Sequence, residues 1–250
     1  ANEASSTHPY LVSKKVNAFG IKNNGQRLLI PLRDGDGKLW NLQQIFPNGK
    51  KRFLKNGKVK GLFHIIGEQT DVIYIGEGYA TMASVYAATG KACVVAFNAG
   101  NLRDVCLQVR ASYPDNEIVV CADDDHLTEG NPGLTKAREA ALEIGAGLAA
   151  PDFGETRGSG ETDFNDLHKL KGAFAVRIGI ELNRLNPQNL VKQKDLALLA
   201  TFVSNWEADP EPVIPITKPQ TPFPIESLPP IIREAVKETL DYTQVPIGLA

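Results

Sequence analysis

The sequence predicts an α/β protein in which a parallel sheet follows a small, basic, β-rich portion. Three observations carry that expectation. Val72-Ile73-Tyr74-Ile75, Ala92-Cys93-Val94-Val95-Ala96-Phe97 and Ile118-Val119-Val120-Cys121-Ala122 are apolar runs without alternation, each followed by a helical stretch; strands covered on both faces of a parallel sheet have that pattern. The first 67 residues instead hold strand-like runs punctuated by turn signals. Those residues also carry twelve Lys and Arg against three acids, a net +9, while the remainder of the chain is −11.

Taken in order, Leu28-Leu29-Ile30-Pro31-Leu32 reads as a strand ending in Asp34-Gly35-Asp36-Gly37, a hairpin-turn signal. That tetrapeptide shares its first acids with a calcium loop but lacks the later ligands and the closing Glu. A second strand follows over residues 39–46, then the turn Pro47-Asn48-Gly49 and the strand Arg52-Phe53-Leu54. The Val72 run ends in Gly76-Glu77-Gly78, and the alanine-rich residues 80–89 form a helix stopped by Gly90. The Ala92 run ends in Asn98-Ala99-Gly100-Asn101 before a helix over 102–111; the Ile118 run ends in Asp123-Asp124-Asp125. Asn131-Pro132-Gly133 opens a helix over 134–144, and Leu148-Ala149-Ala150 is a fourth strand. After Gly160, Asp163-Phe164-Asn165-Asp166-Leu167-His168 leads into two helical stretches reaching Trp206. Residues 208–224 are dense in proline, the mark of a stiff linker. Residues 225–250 restart with an amphipathic pattern (Ile231, Ile232, Ala235, Val236, Leu240). The expected division is a basic β-rich portion, 1–67; an α/β domain with C-terminal helices, 68–206; a linker, 207–224; and the start of a further region, 225–250.

Several classes are excluded. There is no apolar run of about 18 residues to span a membrane. No GxxxxGK[ST], complete GxGxxG, GxSxG or HExxH occurs. Cys93, Cys106 and Cys121 include no CxxC pair, so no zinc ribbon is encoded, and scattered free thiols in apolar runs fit a reduced, cytoplasmic protein.

In open parallel sheets, ligands bind beyond the carboxyl ends of the strands. Glu77, Asn98, Asp123 and Asp125 fall at those ends. Carboxylates converging there would repel one another unless a hard divalent cation neutralised them, and Mg²⁺ prefers such oxygen ligands, with Mn²⁺ as an alternative. The glycines around Glu77 allow a sharp turn and close approach to a ligand. An Asp at a strand end can equally be a helix cap, Asp124 above all. His126 is a candidate phosphate contact or a loop residue, and Lys136, one turn into its helix, faces the same mouth or solvent. A basic portion joined to an acidic one suits a polyanion beside a carboxylate site, or a plain solvated face.

Ile75-Gly76-Glu77-Gly78-Tyr79-Ala80-Thr81, Ala96-Phe97-Asn98-Ala99-Gly100-Asn101-Leu102 and Cys121-Ala122-Asp123-Asp124-Asp125-His126 resemble successive motifs of the Toprim domain of phage and plasmid primases or primase–helicases. Asn131-Pro132-Gly133-Leu134-Thr135-Lys136-Ala137 and Thr162-Asp163-Phe164-Asn165-Asp166-Leu167 are similar to later motifs of that group. The resemblance implies a parallel-sheet, Rossmann-like Toprim fold. It maps the family's metal-binding Glu to Glu77 and its Asp-x-Asp to Asp123 and Asp125, and it implies Mg²⁺-dependent condensation of ribonucleotides into a short primer on a single-stranded DNA template. Asp123 and Asp125 would hold metal, Glu77 would hold metal or act as acid or base, and Lys136 would meet phosphate.

The preceding basic region resembles the segment before Toprim in the same proteins. Arg33, Lys50, Lys51, Arg52 and Lys55 are its expected nucleic-acid contacts. Trp40, Phe46 and Phe53 suit stacking in a strand-tracking groove, or else a small β core, where Phe46 is the one expected. The final segment resembles the lead-in to a helicase-like module, implying a helicase domain on a longer chain. A Toprim-type nuclease and a non-catalytic single-stranded nucleic-acid-binding module are the alternatives. A topoisomerase would need a separate domain bearing a nucleophilic Tyr.

Overall fold

The computed structural model of the chain describes residues 1–158 and 160–184. The expected linker over 207–224, the region 225–250 and the helical stretch beyond residue 184 lie outside the described residues.

An antiparallel meander comes first: β1 (Asn2–Glu3), β2 (Lys22–Asn23), β3 (Leu28–Arg33), β4 (Leu39–Ile45) and β5 (Lys51–Phe53), paired in that order, with α1 (Pro9–Lys14) between the first two strands. The Asp34 turn joins β3 to β4. Asp34 Oδ1 accepts the N–H groups of Asp36 and Lys38 at 3.2 and 2.9 Å, which makes it a hairpin turn rather than a calcium loop.

β6 (His64–Ile66) leads into β7 (Val72–Gly76), α2 (Tyr79–Thr89), β8 (Ala92–Val95), α3 (Ala99–Ser112), β9 (Glu117–Cys121), α4 (Pro132–Glu143), β10 (Gly147–Ala149) and α5 (Phe164–Arg184). The second sheet has the order β10-β9-β7-β8-β6; four strands are parallel and β6 is an antiparallel edge strand on β8. α5 is two helices joined across Gly172, whose φ of 82° is non-helical.

Period-two alternation explains the layers. Val72, Tyr74, Cys93, Val95, Val119 and Cys121 point to one face and pack with α2, α5 and the inner side of the meander. Ile73, Ile75, Val94, Ile118 and Val120 point to the other and pack with α3 and α4. Both faces being covered, β7 is buried along its whole length, which is why its sequence shows no alternation. All three cysteines are free and buried, and burial pushes the thiol of Cys106 up to about 12.

The meander and the parallel sheet share one core, with Leu28, Ile30, Leu32 and Ile45 joined to Tyr79, Met82 and Phe164. Buried polar groups tie the same seam. Tyr79 Oη accepts the Phe19 N–H at 2.7 Å, and Asn165 Nδ2 donates to the Lys14 carbonyl at 2.7 Å and to Ser84 Oγ at 3.0 Å.

Candidate active site

β7 and β9 are parallel neighbours in register, Gly76 opposite Cys121. The residues immediately beyond that pair are Glu77 on one strand and Asp123 to Asp125 on the other, so the register itself brings the carboxylates together. β8 lies on one side of β7 and β9 on the other. This is the strand-order reversal at which open α/β sheets form a crevice.

Local chemistry sets each side chain. Gly76 must be glycine because an added Cβ would stand 3.1 Å from the Cys121 carbonyl and collide with Met82 Sδ. Gly78 caps α2 in an extended conformation. Phe97, after β8, holds a positive φ of 74°, an unusual conformation for a bulky residue, with its N–H on the Glu77 carbonyl at 2.7 Å. That turn sets Asn98 as the cap of α3; its side chain accepts the Asn101 N–H at 3.0 Å, so Ala99-Gly100-Asn101 form the first helical turn instead of a loop.

The Asp-Asp-Asp run divides by role. Asp124 forms an ion pair with Arg157 at 2.6 Å and accepts from Asn131 Nδ2 at 2.5 Å, a structural arrangement that holds the loop. Asp125 Oδ2 accepts the Gly133 N–H at the start of α4, 3.1 Å away. A Cβ at Gly133 would lie 2.6 Å from the Asp123 carbonyl and 2.9 Å from Asp125 Oδ2. Gly133→Ala is therefore expected to push α4 off the acidic loop and lower stability by about 1–3 kcal/mol. A melting temperature unchanged from wild type would contradict this.

Glu77 Oε1 and Asp123 Oδ1 are buried and have no hydrogen-bond partner. Burial, then the Asp125 charge, pushes the Glu77 carboxyl from 4.5 up to about 7, against the Ala99 N–H, Lys51 and Lys136. Burial, then Asp163, Glu77 and Asp125, holds Asp123 well above the usual carboxylate range, with Lys51 opposing. Two parallel-strand termini thus present oxygens that lack partners and repel one another, the donor chemistry a hard divalent cation satisfies. Among the described residues, no three His, Cys, Asp or Glu groups are grouped closely enough to enclose a metal ion as they stand. The fit is thus one of donor type and unmet oxygens.

The structure adds Asp163, to which the motif reading gave no role. Thr81 Oγ1 donates to Asp163 Oδ2 at 2.9 Å and the Asp166 N–H donates to Oδ1 at 2.8 Å, tying the starts of α2 and α5 together beside Asp123. An Asp before a helix reads as a cap, which Asp163 also is.

The basic residues separate. Lys51 pairs with inward-facing Ile45 in the β4–β5 ladder and Arg52 with outward-facing Gln44. Lys51 Nζ accordingly lies beside the Glu77 loop, 4.0 Å from where a Cβ on Gly78 would be. The residue as a whole is exposed, yet the protein packed around the ammonium, then Lys14, lowers its pKa while Asp163, Asp123 and Glu77 act to raise it. Arg52 instead lies over the Phe46 ring at 5.9 Å. Arg33 donates to the Gly37 carbonyl at 2.7 Å, and Lys50 and Lys55 are exposed. Lys136 is exposed on α4 within electrostatic reach of Glu77, and His126 is an exposed loop residue.

The aromatic expectation inverts. Phe53 packs against the shared core and meets Phe97 edge to face at 5.9 Å, while Phe46 is absent from that core and lies half-buried beneath two arginines. A cavity of about 340 Å³ lies at the opposite, amino-terminal edge of the parallel sheet, bordered by Asp71, Lys91, Glu117 and Arg184. Those charges pair with each other, Lys91 with Asp71 at 2.6 Å and Arg184 with Glu117 at 3.4 Å.

Comparison with known proteins gives a Toprim domain over residues 72–173. Two DNA primases named TraC from Escherichia coli are 41% and 40% identical over 157 residues, 58% of this chain. The match takes up 15% and 11% of those relatives, so this chain corresponds to a small part of their length. Among solved structures, the Aquifex aeolicus primase (zinc-binding and RNA polymerase domains) aligns over 89% of this chain and 53% of its own, at 15% identity and a TM-score of 0.49.

Proposed function

Because this chain carries the Toprim domain of a plasmid- or phage-type primase, we propose that it is the core of a DNA primase, condensing ribonucleotides into short RNA primers on single-stranded DNA. The observation that carries the reading is the pair of buried, partnerless oxygens, Glu77 Oε1 and Asp123 Oδ1, at adjacent parallel-strand ends.

Glu77, Asp123 and Asp125 would hold Mg²⁺, or Mn²⁺ in its place. When bound, the cation supplies Lewis-acid polarisation of the oxygens in phosphoryl transfer. The chain's own groups do the rest. Glu77, with a pKa of about 7, is poised to hold or release a proton at Oε1 near neutral pH. Lys51 and Lys136, which both act electrostatically on the Glu77 carboxyl, would meet nucleotide phosphates. Asp124 and Asp163 keep the loop and the helix starts in position. Arg33, Lys50, Arg52 and Lys55 extend the positive surface for the template. The portion 1–67 would serve template binding, and residues 225–250 would lead toward a helicase domain of a longer, cytoplasmic protein.

The test is an assay with a single-stranded template, labelled ribonucleotides and Mg²⁺, comparing wild type with Glu77→Gln. The reading expects short template-dependent RNA from wild type and none from the variant. Shortening of the template instead would mean a nuclease, and salt-sensitive binding with neither product would mean a binding module.

A further inference from the structure

The cavity of about 340 Å³ at the amino-terminal edge of the parallel sheet is walled by the starts of β7 and β9, the end of α2 and the last turns of α5. Arg177, Glu181 and Arg184 stand at i, i+4 and i+7 on one face of α5, next to the buried Val176 and Ile180. Most charges on its walls are paired: Lys91 holds Asp71 at 2.6 Å, and Arg184 holds Glu181 at 3.0 Å and Glu117 at 3.4 Å. Arg177 borders the same space and has no hydrogen-bond or ion-pair partner among the described residues. Tyr74 also borders it, its phenol within electrostatic reach of Glu181 and Arg184. That side chain is 1% exposed, yet its hydroxyl makes no hydrogen bond among the described residues.

The unused groups define the ligand. Arg177 offers a planar fork of N–H donors and Tyr74 an O–H, so the missing partner is an oxyanion. An inorganic ion would fill little of a space equal to about eleven waters of the liquid. Asp71, Glu117 and Glu181 keep lone pairs that accept from hydroxyl groups on the rest of such a molecule. The end of α2 opposes an anion through its helix dipole, so side-chain cations must carry the binding. The Lys91–Asp71 pair is exposed and weak in itself, which lets Lys91 turn to a ligand at small cost. A phosphate monoester, with two charges and three terminal oxygens, matches several converging cations better than a single carboxylate does.

We propose that this cavity binds a small phosphate monoester carrying hydroxyl groups, with Arg177 and Tyr74 holding the phosphate and the wall carboxylates accepting from the hydroxyls. A sugar phosphate and a nucleoside monophosphate share that chemistry. The site lies at the opposite edge of the sheet from Glu77 and Asp123, and the proposal takes nothing from the primase reading.

Calorimetric titration of the full chain in EDTA tests it, with ribose 5-phosphate, adenosine monophosphate and inorganic phosphate as separate probes. Without a cation, the carboxylates at the other edge repel phosphate. At least one ester is expected to bind once per chain with a Kd below about 1 mM, and about 10-fold more tightly than inorganic phosphate. Ribose 5-phosphate binding at least as tightly as the nucleotide marks a sugar-phosphate site, and tighter adenosine monophosphate marks a nucleotide site. Arg177→Ala is expected to weaken ester affinity about 10-fold or more. Tyr74→Phe keeps the buried ring and with it the fold, and is expected to weaken affinity about 5-fold. Lys51→Ala, at the carboxylate edge, is expected to bind the esters as wild type does. No ester binding, inorganic phosphate binding as tightly as the esters, or affinity unchanged in Arg177→Ala or Tyr74→Phe overturns the proposal. Affinity lost in Lys51→Ala also overturns it, by placing the phosphate at the other edge.

Discussion

Asp123→Asn is expected to lower template-dependent primer synthesis at least about 100-fold and, at the same time, to raise the stability of the metal-free protein. Both effects follow from one circumstance. The Asp123 carboxyl is buried at a strand end, Oδ1 has no partner, and Asp163, Glu77 and Asp125 oppose its ionisation. A group whose folded pKa lies above its unfolded value favours folding in its protonated form, and that contribution is lost as pH rises through the folded pKa. Asn keeps the shape and removes the charge, so at pH 8 without divalent cation its melting temperature should exceed wild type by about 2–4 °C for each kcal/mol recovered. Glu77 has the same sign. Its carboxyl is raised from 4.5 to about 7, so metal-free wild type should lose stability between those pH values, and Glu77→Gln should flatten that dependence. A metal-free Asp123→Asn protein melting below wild type at pH 8 would contradict the account of the site.

Asn165→Leu carries the largest expected loss of stability, about 2–3 kcal/mol, read as a lower urea midpoint. Asn165 is fully buried at the start of α5, and its Nδ2 joins the Lys14 carbonyl of α1 to Ser84 Oγ of α2. Leucine of similar size leaves both acceptors without that donor in the seam between the meander and the helices. The variant should also weaken the placement of Lys14, which acts on Lys51 at the mouth of the site. A midpoint equal to that of wild type would show that the seam is held by its apolar contacts alone.

The parallel sheet was legible because β7, β8 and β9 are apolar on both faces, and their ends were legible because glycine and acids interrupt those runs. Four short elements, β1, β2, β6 and α1, were not: β6, for one, owes its form to pairing with β8, a strand distant in sequence. The start of α3 was hidden because Asn98-Ala99-Gly100-Asn101 carries loop-forming residues, and only the Asn98 cap turns them into a helix.

At the site, Glu77, Asp123 and Asp125 could be read from strand order, but the division of labour could not. Asp124 is occupied by Arg157, thirty-three residues later. Asp163 looks like a helix cap until α5 packs beside α2. Lys50-Lys51-Arg52 reads as one basic run, yet strand alternation sends Lys51 toward the carboxylates and Arg52 to the outer face. Phe46 and Phe53 exchanged places for a related reason, since periodicity gives two faces of a sheet without saying which one a second layer will cover.

The central claim is that Glu77, Asp123 and Asp125 form one divalent-cation site, and calorimetric titration of Mg²⁺ into the full-length protein tests it most directly. Carboxyls that retain protons near neutral pH must release them to bind the cation. In two buffers of different ionisation heat at pH 6.5, wild type should bind Mg²⁺ with measurable proton release, and affinity should rise toward pH 8. Asp123→Asn should weaken binding and reduce the release. Binding that is equally strong in the variant, with the same heat in both buffers, would place the cation elsewhere and contradict the account.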